Sequence, residues 1–445
     1  MTRKYFGTDG IRGRANEALS ADLALAVGRA AVAVLPSDDP VVLIGRDTRV
    51  SGPMLEAALV AGVSSAGGRA LLAGVIPTPA VAGLVIAQGA DAGAVISASH
   101  NPYQDNGIKF FGASGFKLTD GQEHEMERFL IGTAGAALPP NPGIVEELED
   151  AVERYVAGLT GRFDLDLSGL RILLDCANGA TCKSSPLAFS RLGADIAVIN
   201  AEPNGLNIND SCGSTHMEQL CEAVRADGFD LGLAFDGDGD RVLAVDAGGR
   251  IIDGDFVMAI CANYLKQQGK LPQDTIVTTV MTNLGFHLAM KQLGIEVKTT
   301  AVGDRYVLEE MLAGGFGFGG EQSGHLINLE TGTTGDGLAT SLLLLEVMVN
   351  TGKSLAELAG IMDRLPQKLV NVKVQDMQGL QQAAQVWDVV EAETSILGDS
   401  GRILVRPSGT EPVVRVMVEA ATSELCDQVC DRIVAIVVES LGEPV

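Results

Sequence analysis

The hydrophobic positions of this chain fall into short apolar runs that alternate with amphipathic segments. Three stretches share one order, in which an apolar strand leads through a polar loop to a helix, a glycine and a second strand. They begin with "VVLIGRDTR" (41–49), "LRILLDCANGA" (170–180) and "TIVTTVMTNLG" (275–285). This order is typical of the right-handed βαβ unit, so the pattern predicts three related α/β domains with mixed sheets.

The C-terminal segment follows a different pattern. From about residue 369, three apolar stretches, "LVNVKV", "RILVRPSG" and "VVRVMVEA", precede one amphipathic stretch, "SELCDQVCDRIVAIVVES". Strands followed by a helix predict a smaller α+β domain with an antiparallel sheet. Joins are expected at the Pro/Gly-rich "GTAGAALPPNPG", at the turn "DAGGR" and at "DRLPQKLV". We therefore predict domains over residues 1–158, 159–252, 253–367 and 368–445.

Composition and charge narrow the class of protein. Of the 445 residues 46% are hydrophobic but only 4% aromatic, which suits buried parallel sheets flanked by Ala-rich helices. The net charge of -25 disfavours binding to nucleic acid or to an anionic membrane. The N-terminal stretch "MTRKYFGTDGIRGRAN" lacks the apolar segment of a signal peptide, and no apolar run reaches the roughly 20 residues that a membrane span needs. We expect a cytoplasmic protein with neither kind of partner, and its seven cysteines, without CxxC spacing, are expected to be reduced.

The first candidate for chemistry follows the apolar run "AGAVI", where "SASHNPYQDNGIK" begins. In α/β sheets ligands bind beyond the carboxyl ends of strands, and Ser99 falls at such an end. A serine hydrolase is disfavoured, because adjacent residues such as Ser99 and His100 are not expected to face each other and no GxSxG elbow is present. A polar turn without chemistry stays open as the alternative.

A second apolar strand ends in three carboxylates, in "LGLAFDGDGDRV". Alternate positions of an extended chain point to one side, so Asp236, Asp238 and Asp240 are expected to converge on a hard cation. An EF-hand would need glycine and glutamate where this chain has Arg241 and Ala247, which excludes that motif. Oxygen ligands favour Mg²⁺, and a solvated acidic turn is the alternative.

Near the C-terminus, "RPSGTEPVVR" predicts a phosphate-binding turn. Guanidinium groups, hydroxyls and a glycine backbone N–H bind phosphate through charge-assisted hydrogen bonds. A hairpin with incidental arginines is the alternative. The candidate ligands are Arg406, Ser408, Gly409, Thr410 and Arg415.

The stretch "GFGFGGEQSGH" contains a weak dinucleotide-binding match, G-x-G-x-x-G, from Gly315 to Gly320. Neither a following amphipathic helix nor an acidic residue at the expected distance supports that interpretation. Glu321, Ser323 and His325 are instead predicted to lie in a polar loop that contacts hydroxyl groups.

Taken in order, the motifs resemble those of the α-D-phosphohexomutases. The resemblance spans essentially the whole chain, through "FGTDGIRG", "GRDTR", "ISASHNPYQDNGIKFFG", "DCANGAT", "DGDGDR", "GGEQSGH" and "RPSGTEP". The segment "TCKSSPLAF" departs from the family pattern but lies outside the motifs. The resemblance implies four domains around one cleft.

The resemblance also implies roles for individual residues. Ser99 would be the phosphoserine that carries the phosphoryl group, and its phosphate would bind Mg²⁺ together with Asp236, Asp238 and Asp240. Glu321 and Ser323 would contact sugar hydroxyls, and the "RPSGT" turn would bind the non-reacting phosphate. Residues at the reacting centre would be Arg12, Lys109 and Arg241, with Lys109 and His325 as candidates for proton transfer.

The implied activity is the interconversion of glucosamine 6-phosphate and glucosamine 1-phosphate, which would feed the synthesis of cell-wall precursors. It would run through a 1,6-bisphosphate, with glucosamine 1,6-bisphosphate or glucose 1,6-bisphosphate as activator. The "EQSGH" loop favours the amino sugar, while glucose and mannose phosphates stay open as alternative substrates. A Mg²⁺-dependent sugar phosphatase and a non-catalytic sugar-phosphate sensor are further alternatives. The residues do not decide the oligomeric state, for which a homodimer is one option.

Overall fold

The computed structural model describes residues 4–7, 9–132, 138–374, 378–408 and 412–442. The chain folds as two compact units. The larger unit comprises Met1–Val280 with Ile295–Gly360, and the smaller comprises Met281–Gly294 with Ile361–Val445. No helix in the described part of the chain is long and apolar enough to cross a bilayer.

The first sheet of the larger unit has the strand order β1-β5-β4-β2-β3-β6. Strands β2, β3, β4 and β6 run parallel, and β5 pairs antiparallel with both β1 and β4. The succession β2-α2-β3 confirms the first predicted βαβ unit. The elements are β1 (Ile11–Arg14), α1 (Ala21–Val34), β2 (Val41–Arg46), α2 (Gly52–Ser65), β3 (Arg69–Val75), α3 (Thr78–Gln88), β4 (Ala92–Ile96), β5 (Asp105–Gly112), α4 (Asp120–Gly132), β6 (Val145–Glu147) and α5 (Ala151–Thr160).

The second sheet has the order β11-β10-β9-β7-β8, with a parallel centre and an antiparallel hairpin at one edge. Its β7-α6-β8 segment confirms the second predicted βαβ unit. The turn 246–250, where a join between domains is expected, connects the two strands of the edge hairpin. The elements are β7 (Arg171–Asp175), α6 (Ser184–Arg191), β8 (Asp195–Ile199), α7 (Glu218–Asp227), β9 (Leu231–Phe235), β10 (Val242–Asp246) and β11 (Ile251–Ile252).

The third sheet has the order β13-β12-β14-β15. The succession β12-α9-β13, with its strands parallel, confirms the third predicted βαβ unit. Helix α9 belongs to the smaller unit. The elements are α8 (Gly254–Gln267), β12 (Thr275–Thr279), α9 (Leu284–Gln292), β13 (Glu296–Thr300), α10 (Asp304–Gly314), β14 (Phe318–Gly320), β15 (Leu326–Asn328), α11 (Gly337–Thr351) and α12 (Leu355–Leu358).

The smaller unit contains the predicted antiparallel sheet, in the order β16-β18-β17. Its helix α14 lies where the sequence predicted it. A further helix, α13, was not predicted, although its Val386 and Leu397 are buried in the same core as α14. The elements are β16 (Gln367–Lys373), α13 (Ala384–Leu397), β17 (Arg402–Pro407), β18 (Val413–Glu419) and α14 (Ser423–Leu441).

Two central strands, β4 and β9, position the residues of the candidate site. Every residue of "AGAVI" and of "LGLAF" is buried, as expected for strands that are covered on both faces. The polar residues that follow both strands therefore emerge at the carboxyl ends of two neighbouring sheets, where a ligand can be reached.

Candidate active site

Ser99 lies in the turn that follows β4. Its backbone is left-handed (φ 53°), an uncommon conformation for a residue other than glycine, and its side chain is buried. The Ser99 N–H donates to Ser97 Oγ at 3.0 Å. The conformation is thus held by specific contacts, which is typical of functional turns.

The main support of this turn is Arg49, whose guanidinium group is fully buried. Its Nε donates to Asp47 Oδ2 at 2.8 Å, and its Nη2 donates to the carbonyl oxygens of Ser99 (2.9 Å) and Asn101 (2.8 Å). Its Nη1 donates to the carbonyls of Pro102 and Asp105. One side chain from the loop after β2 therefore binds four carbonyl oxygens of the turn.

Replacing Arg49 by methionine should destabilise the protein by roughly 3–5 kcal/mol, because Asp47 is left as a buried carboxylate without its cation and several carbonyls lose their donor. Urea unfolding followed by circular dichroism measures this as a shift in the midpoint of the transition. The matched control is Arg46→Met, since the Arg46–Glu56 ion pair is partly exposed and should contribute only about 1 kcal/mol. Equal losses in the two variants would contradict the proposed support.

The three aspartates that follow β9 converge as the sequence predicted. Asp236, Asp238 and Asp240 are buried, and one carboxylate oxygen from each lies within 4.8 Å of the others. Ser99 Oγ donates to Asp236 Oδ2 at 2.6 Å, which joins the serine turn to this loop. Gly237 permits the approach, because a Cβ there would lie 2.6 Å from the Ser99 carbonyl oxygen.

These carboxylates fit a hard cation. Within the described ranges, Asp238 Oδ1 and Asp240 Oδ1 are buried without a hydrogen-bond donor. Burial, with repulsion from Asp240 and Asp238, raises the pKa of Asp236. Buried carboxylates are stable only when they are paired or coordinate a metal, so the solvated acidic turn is excluded and a metal-binding loop is supported.

Basic side chains surround the loop. Lys109 Nζ lies 3.2 Å from Asp238 Oδ2 and 3.0 Å from Asp9 Oδ2, and Arg12 Nη2 lies 2.5 Å from the same Asp9 oxygen. Burial opposes the charge on Lys109, but Asp238 and Asp9 outweigh burial and raise its pKa. Burial also opposes the charge on Arg241, but the attraction of Asp240 and Asp236 outweighs it and raises the pKa of Arg241. Both cations therefore stay charged.

Two histidines lie at the site. His100 Nδ1 is 3.3 Å from Ser99 Oγ, so the expectation that these neighbours would not face each other was wrong; the left-handed turn brings them together. Burial, with Arg241 and Arg12, lowers the pKa of His100 to about 4. Its ring is therefore neutral near pH 7.

The second histidine, His325, follows β14. Its Nδ1 lies 3.5 Å from Asp240 Oδ2, and its Nε2 accepts a hydrogen bond from the Gly335 N–H at 3.2 Å. Burial opposes protonation of the ring, but Asp240 and Asp304 outweigh it and raise the pKa of His325.

A cavity of about 470 Å³ brings many of these groups together. Glu321, which also lines it, accepts a hydrogen bond from the Gly303 N–H at 3.0 Å. Ser323 does not line the cavity. The predicted residues in its wall are Arg12, Ser99, Asp240, Arg241, Glu321 and His325.

The smaller unit holds the predicted phosphate-binding residues. Arg406 on β17 and Arg415 on β18 are directly opposite each other in the antiparallel register. Burial and the charge of Arg415 lower the pKa of Arg406. Like charges opposite each other are unfavourable, so an anion would stabilise the pair. Ser408, two residues after Arg406, is buried. The other two predicted ligands, Gly409 and Thr410, lie outside the described residues.

Sequence reasoning missed several supporting residues. Asn209 Nδ2 donates to the Ser99 carbonyl at 2.9 Å from 110 positions away, and Thr78 Oγ1 donates to Asp238 Oδ2 at 2.6 Å. No local signal marks either one. Asp9 and Arg49, by contrast, stand inside the quoted motifs "FGTDGIRG" and "GRDTR", which could have indicated them.

Comparison with known families agrees with this geometry. Sequence profiles described as phosphoglucomutase/phosphomannomutase match along the chain: alpha/beta/alpha domain I at residues 3–133, domain II at 153–249, domain III at 253–365 and the C-terminal domain at 369–436. The chain belongs to the phosphoglucomutase/phosphomannomutase family. The resemblance to the phosphohexomutases is thereby confirmed, as is the fold class of three α/β domains with a smaller C-terminal domain.

Among relatives of known name, a phosphoglucosamine mutase of Anoxybacillus flavithermus is 53% identical over 99% of both chains. A phosphoglucosamine mutase of Pelotomaculum thermopropionicum is 54% identical over 98% of this chain and 99% of the relative. A solved structure of a family protein from Burkholderia thailandensis superposes with a TM-score of 0.81 at 24% identity, covering 99% of this chain and 98% of that one. An Aspergillus fumigatus N-acetylphosphoglucosamine mutase, solved with GlcNAc-6P and magnesium, has a TM-score of 0.67 at 18% identity over 99% and 96% of the two chains. The two structures show that the fold is shared.

Proposed function

We propose that this chain is a phosphoglucosamine mutase that interconverts glucosamine 6-phosphate and glucosamine 1-phosphate in the cytoplasm. The observation that carries the proposal is the full-length identity of 51–54% to relatives that bear this name. The site agrees with it, because a serine hydroxyl, a metal-binding loop and several cations meet at one cavity. We also propose domains with boundaries near residues 158, 252 and 367.

In the proposed mechanism Ser99 carries the phosphoryl group. The bond between Ser99 Oγ and phosphorus breaks while a bond to the free hydroxyl of the sugar phosphate forms. The proton of that hydroxyl passes to His325, and Ser99 Oγ takes up a proton to become a hydroxyl again. The resulting 1,6-bisphosphate turns in the site and returns its other phosphate to Ser99. Added glucosamine 1,6-bisphosphate or glucose 1,6-bisphosphate would rephosphorylate an enzyme that has lost the group.

The charged residues have two roles in the proposed mechanism, metal binding and stabilisation of the charge on the transferring group. Asp236, Asp238, Asp240 and the Ser99 phosphate would hold Mg²⁺, which when bound supplies a Lewis acid that stabilises charge on the transferring group. Lys109, Arg12 and Arg241 stabilise the same charge by direct attraction. Because Lys109 is buried between two carboxylates, we assign it this role rather than proton transfer.

Substrate contacts complete the proposal. His325 lines the cavity and is our candidate for proton transfer, and Glu321 with Ser323 would contact sugar hydroxyls. In the smaller unit Arg406, Ser408, Gly409, Thr410 and Arg415 would bind the non-reacting phosphate. The partner is a small hexosamine phosphate and not nucleic acid, which the net charge of -25 would repel. A homodimer stays a prediction.

The substrate is tested by coupled assays of the wild type with the 6-phosphates of glucosamine, glucose and mannose. We expect kcat/KM to be highest for glucosamine 6-phosphate. A higher kcat/KM for glucose 6-phosphate or mannose 6-phosphate would show that the preferred sugar is a different one, while the class of reaction would stay the same. Stoichiometric release of inorganic phosphate without formation of a 1-phosphate would instead identify a phosphatase.

The phosphate turn is tested by Arg415→Ala. Loss of a phosphate contact that is equally strong in the ground state and the transition state raises KM with little change in kcat. The bisphosphate should also dissociate more often before it returns a phosphate to Ser99. We therefore expect a higher KM and a rate that depends more strongly on added bisphosphate, while the phosphate on Ser99 remains. Steady-state rates with and without bisphosphate measure this. A wild-type KM and no bisphosphate effect would remove the turn from the proposal.

A further inference from the structure

Lys117 has no role in the proposed mechanism, but it bridges two carboxylates that contact residues of the site. Its Nζ is 2.7 Å from Asp9 Oδ1, near the N-terminus of the chain, and 2.5 Å from Asp304 Oδ2, where α10 begins. The Lys117 side chain is 18% exposed. A single amine therefore joins the first sheet's domain to the third across 187 residues of chain.

Both partners of Lys117 line the 470 Å³ cavity, whereas Lys117 does not. Asp9 uses its other oxygen, Oδ2, for Arg12 and Lys109, and Asp304 Oδ2 lies 3.6 Å from His325 Nε2. Lys117 thus reaches the reacting centre only through the groups it holds.

These contacts form a continuous series of acidic and basic side chains that begins and ends on the metal-binding loop. Each step is 3.6 Å or shorter. The order is Asp238, Lys109, Asp9, Lys117, Asp304, His325 and Asp240. Lys117 is its middle member, at the junction of the two domains.

We propose that Lys117 is a positioning residue for phosphoryl transfer, which fixes Asp9 and Asp304 and through them Lys109, Arg12 and His325. The inference rests on the proposed function. Without the amine, the carboxylates of Asp9 and Asp304, whose side chains are only 20% and 21% exposed, would lose the cation they share and repel each other. The domains would move apart locally, and the cations at the reacting centre would lose their alignment.

A second cavity, of about 500 Å³ and not lined by Ser99, makes the amine accessible. Its wall includes Lys117, Asp9 and Lys109. In a Lys117→Ala variant, a small alkylammonium ion could therefore enter and occupy the place of the missing amine.

The experiment measures kcat and KM of Lys117→Ala with and without ethylammonium. A displacement of about 1 Å at a reacting centre costs roughly 100-fold in rate, so kcat should fall by about that factor while KM changes little. Ethylammonium should restore part of kcat in a saturable way, since it supplies N–H donors and charge. Tetramethylammonium, which has the charge but no N–H, should not.

The matched control is Arg305→Ala. Arg305 lines the same cavity and joins α10 to α4, through Asp120 at 2.6 Å, but its guanidinium pairs with neither Asp9 nor Asp304. The Arg305→Ala variant should keep a kcat close to that of the wild type, and ethylammonium should not change it. If Lys117→Ala fails to fold, Lys117→Gln tests the loss of the charge, because a neutral amide does not offset the charges of two carboxylates.

Three results would overturn the inference: a wild-type kcat in the folded Lys117 variant, a loss that ethylammonium does not repair, or an equal loss in Arg305→Ala. Failure of the proposed function is separate, because it would show in the wild type as a lack of mutase activity on every hexose phosphate. A different preferred sugar leaves the Lys117 test intact, since the test is then run with that sugar.

Discussion

Replacing Ser99 by alanine should reduce mutase turnover by at least about 10⁴-fold, because alanine has no oxygen to carry the phosphoryl group. The fold should survive, since the change removes one buried hydrogen bond, from Ser99 Oγ to Asp236, worth about 1 kcal/mol. Intact-mass analysis should show one added phosphate on part of the wild-type population and none on the variant.

Ser97→Ala is the matched control, because Ser97 lies two residues away and is equally buried. Its hydroxyl donates to Asp47 Oδ2 at 2.6 Å and accepts from the Ser99 N–H, so its loss should disturb the turn without removing the carrier. Phosphate should remain on Ser99 in this variant. A phosphate that maps to Ser97, or normal turnover by Ser99→Ala, would refute the mechanism.

The second large effect is expected from Asp238→Asn, which should lower both Mg²⁺ affinity and kcat by about 100-fold or more. Asp238 Oδ2 accepts hydrogen bonds from Thr78 Oγ1 at 2.6 Å and from Lys109 Nζ at 3.2 Å. In the variant the amide oxygen must serve these two donors, so the amide NH₂ group turns toward the cation, where a carboxylate oxygen is needed. The melting temperature of the wild type should rise with added Mg²⁺, and that of the variant should rise much less.

Asp246→Asn is the control for this change. Asp246 is also buried at the end of a strand in the same sheet, but it accepts from the backbone N–H groups of Gly248 and Arg250 and lies outside the triad. Its Mg²⁺-dependent shift in melting temperature should match that of the wild type. Full wild-type activity in excess chelator would argue against a catalytic metal.

The sequence alone was sufficient for the framework of the site. "AGAVI" and "LGLAF" could be recognised as buried strands from their uninterrupted apolar runs, and the polar residues after them as ligands, because parallel strands present their carboxyl ends together. The convergence of the three aspartates also followed locally, since five consecutive residues determine it. The smaller unit's three strands and last helix were equally visible, whereas α13 was missed because most of its surface is exposed.

The sequence did not predict how the loops are held. Arg49 supports the serine turn by donating to backbone carbonyl oxygens. Every residue has a carbonyl oxygen, so no sequence pattern shows which ones accept these hydrogen bonds. The contact between Ser99 and His100 depends on a left-handed backbone, which the residue types did not indicate.

Local periodicity and motif spacing thus determined the class of fold, the position of the serine turn and the acidic loop, because each depends on residues that are close in the chain. Only the tertiary structure decided which charged and polar groups meet. Lys117 and Asp304 are 187 residues apart, and Asn209 and Ser99 are 110 apart. The physical reason is that a buried charge requires a partner within a few ångströms but places no restriction on where in the chain that partner stands.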